Sequence, residues 1–366
     1  MAHRSVFDCS LVILALAGGC SSAKPVFPHP RYAPYGIGSE QLVVQDNSRG
    51  TPANGEGFPA LPYRQLPLYI WYPALGDVDA GEVTGAKLDP RGAPYPLVVF
   101  VHGSSGFSQQ STFLTQALAA DGYVVAAADF PLTALTTPGG SSDFGSNLQV
   151  GDASFIATQL AANSQDPKDP LYLAIDPDAG YAVEGHSTGG AVALDAAYSL
   201  GSHDSRVKAI VGLAPDACFF ASKMFTTRKV PMMVIAGTDD HFNPPWVNGE
   251  RAYGLATTSP RWLAMLTGGT HLYFTDFALP DGSPTPDMPG DPIVQAFSSD
   301  GGGGQCTVGP ITTEADPLID FDLQHTLTIQ LSEAFLDQWM WQDDSTMKAL
   351  TASHDPHLVL SSSAGL

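Results

Sequence analysis

Two kinds of hydrophobic pattern alternate along the middle of the chain. Largely apolar runs without alternation occur at 96–101 (PLVVFV), 123–128 (YVVAAA), 181–184 (YAVE), 207–213 (VKAIVGL), 230–236 (VPMMVIA) and 261–266 (RWLAML). Their length and composition are those of strands buried on both faces of a parallel sheet. Between them, apolar residues recur at helical spacing over 111–120 and stop at Asp121-Gly122, and the Ala-rich stretch 191–200 also reads as a helix. The runs LVVQ at 42–45 and LYIWY at 68–72, fenced by Gly and Pro, precede the series and read as antiparallel opening strands. An amphipathic helix over 326–341 closes the pattern, and the residues after it read as a frayed tail. This rhythm predicts an α/β domain with a doubly wound, mostly parallel sheet and helices on both faces.

Two stretches interrupt the rhythm, 130–147 and 279–316, both rich in Gly, Pro and Ser. Each follows a strand end, where an α/β protein places its site, although for the second a plain surface insertion is an equal reading.

The first residues carry an address. A short polar start with His3 and Arg4, an apolar core LVILALA at 11–17 too short to span a bilayer, and Gly18-Gly19-Cys20 together read as an export signal. Small residues just before a Cys resemble the bacterial lipoprotein signal, so Cys20 is the expected lipid anchor of a periplasmic, outer-membrane or secreted protein. The Pro-rich stretch 25–34 suits a tether. The expected division is a leader over 1–23, a tether over 24–34, one catalytic domain over 35–345 and a tail over 346–366.

Composition narrows the partners. With 366 residues and 44% hydrophobic content the chain can bury one large core. A net charge of -21 opposes binding to phosphate backbones and anionic lipid, which excludes nucleic acid and leaves the N-terminal anchor as the expected membrane contact. Of the four cysteines, Cys9 and Cys20 belong to the leader, so an oxidising compartment would bridge Cys218 with Cys306. No zinc spacing is present, and neither metal nor organic cofactor is expected.

The chemistry lies in Gly185-His186-Ser187-Thr188-Gly189, a G-x-S-x-G elbow that follows a buried run and opens a helix. Such a turn projects Ser187 as a nucleophile, and Gly185 and Gly189 allow the close backbone approach it needs. A serine hydroxyl requires a neutral imidazole to take its proton and a carboxylate to hold that imidazole. Later strand ends supply both. His271 follows the run ending at Leu266, while Asp239 and Asp240 follow the run 230–236, with Asp216 a weaker rival. The order Ser, acid, His is that of an α/β-hydrolase fold. Two N–H donors for the oxyanion are expected at Thr188, after the nucleophile, and Ser104, which Gly103 allows to turn inward. Phe107, Phe130, Trp246 and Tyr273 are candidates for an apolar cleft, with a core role an equal reading for each.

The segments 68–74, 96–103, 119–125 and 185–190 resemble dienelactone-hydrolase-like proteins akin to plasma platelet-activating-factor acetylhydrolase, and also cutinase-like polyester hydrolases and chlorophyllases. The resemblance covers roughly 42–271 and the last amphipathic helix. It implies that the acid heads a D-x-x-x-P segment, matched by Asp240 with Pro244, which selects Asp240 over Asp239. It also implies a Gly-Gly turn before the His, matched by Gly268 and Gly269, and a first oxyanion amide at Ser104. Ser187 replaces the Cys of true dienelactone hydrolases. The expected function is a serine carboxylic ester hydrolase acting through an acyl-enzyme on small-molecule or polymeric esters. A peptidase or amidase with the same triad, or an inactive binding protein, are the alternatives.

Overall fold

The protein is described by a computed structural model that covers residues 33–142, 146–279, 281–285 and 316–363. The export leader with Cys20, the tether up to residue 32, Cys306 and most of 279–316 lie outside the described residues.

Strands β1 (Gly36–Asp46), β2 (Arg64–Ala74) and β3 (Glu82–Thr84) lead into β4 (Leu97–Val101), helix α1 (Thr112–Asp121) and β5 (Val124–Ala128). Helix α2 (Ser146–Asn163), β6 (Tyr181–His186), α3 (Thr188–Tyr198), β7 (Val207–Leu213), β8 (Met232–Gly237), α4 (Gly249–Leu255) and β9 (Arg261–Leu266) follow. The chain ends with α5 (Phe321–Leu336), a π turn (Asp337–Trp341), α6 (Ser345–Ala352) and β10 (Leu358–Ser362). All ten described strands form one sheet in the order β10-β9-β8-β7-β6-β4-β5-β2-β1-β3. The six strands β4 to β9 are parallel, while β1 and β2 pair antiparallel with Leu42 opposite Leu68, as their flanking signals suggested.

Side-chain alternation along the strands sorts the core into two layers. Val99, Val101, Ala126 and Val183 pack with Ile156 of α2, Leu194 of α3 and Ala252 of α4. Val98, Phe100, Val125 and Ile235 pack with Leu118 of α1, Leu331 and Phe335 of α5 and Met347 of α6. The sheet is therefore wound on both faces. Because α1 and α3 leave the adjacent strands β4 and β6 toward opposite faces, the two helices part at the carboxyl ends of these strands, where a doubly wound sheet forms its crevice.

Two boundaries differ from the sequence reading. The last long helix begins at Phe321 because the Asp320 side chain accepts from the Leu323 N–H at 3.1 Å and caps it, and it gives way to the π turn at Asp337. The tail is not frayed throughout. It forms α6 and an edge strand paired antiparallel with β9, Leu358 opposite Leu266, held by backbone bonds while most of its side chains remain outside the core.

Candidate active site

Ser187 sits between β6 and α3 at φ 56 and ψ -121, a conformation that costs a non-Gly residue of order 1–3 kcal/mol. Packing enforces it. A side chain on Gly185 would run into the Gly189 carbonyl, and one on Gly189 into the Val101 carbonyl, so the elbow lies flush against β4. The Ser187 N–H donates to Leu213 O at 2.9 Å, tying the turn to β7. Half-buried Ser187 is thus raised at the crevice edge, at the positive end of α3.

The loop after β8 carries the acid. Asp240 Oδ1 accepts from the N–H groups of Phe242 at 2.9 Å and Asn243 at 2.7 Å, which fixes the plane of the carboxylate. Its other oxygen, Oδ2, lies 2.8 Å from His271 Nδ1, and both residues are buried. Since the carboxylate accepts at Nδ1, the imidazole presents Nε2 as its basic nitrogen. Asp239 is turned away: its N–H donates to Gly269 O at 2.9 Å, burial pushes its carboxyl pKa up, and Oδ2 has no hydrogen-bond partner among the described residues. Asp216 donates its N–H to Ser187 O at 3.2 Å, and its Oδ1 lies 4.0 Å from Cys218 Sγ.

His186 joins the elbow to the histidine loop. Its ring lies 4.5 Å from that of His271, and its Nε2 donates to His271 O at 3.1 Å. Burial, reinforced by the neighbouring His271, holds the His186 pKa well below its ordinary value, so the ring stays neutral. Gln110, missed in the sequence reading, gathers three segments. Its Nε2 donates to His186 Nδ1 at 3.2 Å, its Oε1 accepts from Gly103 N–H at 3.2 Å, and its carbonyl accepts from Asp276 N–H at 2.7 Å. His102 is structural: Phe130 N–H donates to its Nε2 at 3.2 Å, its Nδ1 donates to Gly103 O at 2.7 Å, and burial lowers its pKa to about 4.

The loops after β4 and β6 meet where Ser104 Oγ and Thr188 Oγ1 lie 2.9 Å apart. Ser105, next along, is held at φ 54 by a bond from its N–H to Thr133 O at 3.0 Å, so the stretch 130–142 braces this loop.

The cleft candidates divide. Phe107 is half-buried with its ring 5.8 Å from Phe277, and Trp246 is 39% exposed. Phe130 and Tyr273 are corrected to the core: Phe130 is fully buried against His102, and Tyr273 is buried with its ring edge on Phe321. Phe130 has no surface left for a ligand and Tyr273 very little. Phe242, 5.1 Å from the His271 ring, and Asn243, whose Nδ2 lies 3.4 Å from Ser187 Oγ, are site residues the sequence did not single out. Their signal was position alone, two and three places after Asp240. His325 lies apart from Asp240, stacked on Phe113 at 3.6 Å. Cys218 is disulfide-bonded, and its expected partner Cys306 lies outside the described residues.

The sequence profile of the alpha/beta hydrolase family matches residues 98–362, and that of platelet-activating factor acetylhydrolase, isoform II, matches residues 62–131. Among curated proteins there is no match. Among solved structures, the ferulic acid esterase from Streptomyces cinnamoneus superposes with a TM-score of 0.62 at 23% sequence identity, covering 92% of this chain and 99% of that one. At that identity the likeness speaks for the fold.

Proposed function

The chain belongs to the alpha/beta hydrolase family, and from that premise we propose that it is a serine-dependent carboxylic ester hydrolase working through an acyl-enzyme. One observation carries the reading: Asp240 binds His271 Nδ1 at 2.8 Å beside a serine in a strained strand-to-helix turn.

In this mechanism Ser187 Oγ attacks the acyl carbon while His271 Nε2 takes its proton. The carbonyl electron pair moves to the oxygen, where the N–H groups of Ser104 and Thr188 receive it. Collapse expels the alcohol, which takes the proton from His271. Water then repeats the sequence, and the C–Oγ bond breaks to release the acid. Asp240 holds the imidazole in one tautomer and stabilises its protonated form.

The resemblance to short-acyl and polyester hydrolases supports substrates of that kind. The leader supports export with Cys20 as an anchor, and export supports a bridge between Cys218 and Cys306. Ser187→Ala tests the reading: ester turnover should fall by thousands-fold or more while the melting temperature holds. Wild-type turnover in purified, folded Ser187→Ala protein would remove Ser187 from the chemistry.

A further inference from the structure

The turn after Asp240 sends a second side chain toward the elbow. Asn243 Nδ2 lies 2.9 Å from the carbonyl oxygen of Ala214 and 3.4 Å from Ser187 Oγ. A carbonyl oxygen only accepts, so the nitrogen of this amide, and not its oxygen, must face Ala214. One hydrogen of Nδ2 serves Ala214, and the other is directed to Ser187 Oγ. The residue has little freedom to turn away. Its backbone N–H is held by Asp240 Oδ1 at 2.7 Å, and Ala214 is itself fixed at φ 44 with its N–H on Ile235 O at 2.7 Å.

We infer that Asn243 is a further catalytic residue, donating an N–H hydrogen bond to Ser187 Oγ when that oxygen carries negative charge. The inference rests on the reading of Ser187 as nucleophile. With one lone pair of Oγ engaged by Asn243, the hydroxyl hydrogen is left for the base, which orders the resting site. The larger effect falls in deacylation. Water adds to the acyl carbon and gives a proton to His271. The tetrahedral species then breaks its C–Oγ bond, the bonding pair moves onto Oγ, and the proton of His271 follows it. A donor already aimed at Oγ stabilises the charge in the interval between bond cleavage and proton return. The reaction balances with water as the only co-reactant.

The test is burst kinetics with p-nitrophenyl acetate on the full exported protein, comparing wild type with Asn243→Ala and Asn243→Ser. Both variants keep the backbone N–H that Asp240 accepts, and the Ser variant retains a polar group if Ala proves unstable. The slow, deacylation phase should fall roughly ten-fold, as expected for one hydrogen bond to a developing charge, with burst amplitude and melting temperature retained. An unchanged slow phase in either folded variant, or a change confined to KM, would overturn the assignment. Labelling of wild-type Ser187 by a fluorophosphonate, run in parallel, separates the two levels. If Ser187 labels while the variants match wild type, only the role of Asn243 fails. If Ser187 does not label, the nucleophile reading fails and takes this inference with it.

Discussion

Gln324 closes both backbone hydrogen-bonding positions of Thr270, the residue that precedes His271. Its Oε1 accepts from Thr270 N–H at 3.1 Å and its Nε2 donates to Thr270 O at 2.9 Å, with both residues fully buried. The first turn of α5 thereby fixes the backbone from which the imidazole projects, and loop residues gain the precision of a helix. Gln324→Ala leaves two buried peptide groups unpaired, each at about 1–3 kcal/mol, so the melting temperature should fall. The positioning role adds a second effect: kcat should drop roughly ten-fold at nearly constant KM, measured well below the new melting temperature. Wild-type kcat in a merely less stable variant would restrict Gln324 to stability.

The two adjacent acids after β8 give a direct contrast. Asp240 uses one oxygen to cap its own turn and the other to hold His271, whereas the Asp239 carboxylate accepts from the Asp316 backbone. Asp240→Asn should cost on the order of a thousand-fold or more in kcat because it loses control of the His271 tautomer. Asp239→Asn should stay within a few-fold of wild type. Steady-state kinetics of the two variants checks this, and the reverse order would transfer the role to Asp239.

Glu184, three residues before Ser187, is fully buried on β6 and accepts from Ser332 Oγ at 2.7 Å, its one hydrogen-bond partner among the described residues, and burial raises its pKa from 4.5 to about 8. In the unfolded chain this carboxyl ionises above its ordinary value, while in the folded protein it keeps its proton until about pH 8. Folding therefore takes up a proton across that window, and stability falls as pH rises through it. Glu184→Gln removes the dependence. Relative to wild type it should gain on the order of 2–3 kcal/mol at pH 7 and little at pH 4.5, by denaturant unfolding at the two values. A difference that does not change with pH would show that Glu184 is ionised in the folded protein.

The strands of the parallel sheet were legible because burial on both faces leaves short apolar runs that recur between helical stretches. The elbow was legible because Gly185 and Gly189 bracket Ser187 between such a run and a helix. Helix α2 was not. Its buried face includes Gln149 and Asp152, and Asp152 is tolerated there because Arg64 reaches it at 2.6 Å through Nε and Arg49 at 2.8 Å, contacts separated by 88 and 103 residues. No local window reveals that pairing. Strand β10 was hidden for the opposite reason, since an edge strand held by backbone bonds needs no hydrophobic period. Asn243 and Gln324 escaped because each acts through an amide whose value depends on what the fold sets opposite it.

Substrate preference is the remaining prediction, and it extends the proposed roles of Ser187, Asp240 and His271 to the aromatic side chains carried on neighbouring loops. Phe242 packs at 5.1 Å from the His271 ring, the half-buried pair of Phe107 and Phe277 is carried on the loops after β4 and β9, and Trp246 stands exposed after β8. Each methylene of an acyl chain gains about 0.8 kcal/mol when it is buried against such surfaces and nothing once it projects into water. Activity should therefore rise over the first few carbons and then stop rising. Long chains, moreover, reduce the concentration of free monomeric ester. The expected order of kcat/KM is acetyl to hexanoyl p-nitrophenyl esters above the palmitoyl ester. Esters should also exceed matched anilides, because an alcohol leaves readily whereas an amine must be protonated as its bond breaks. A panel of these substrates, with Ser187→Ala run alongside to subtract background hydrolysis, measures both orders. Preference for palmitoyl would require an extended acyl channel and a lipase in place of a short-acyl esterase, and preference for anilides would make the same triad that of a peptidase.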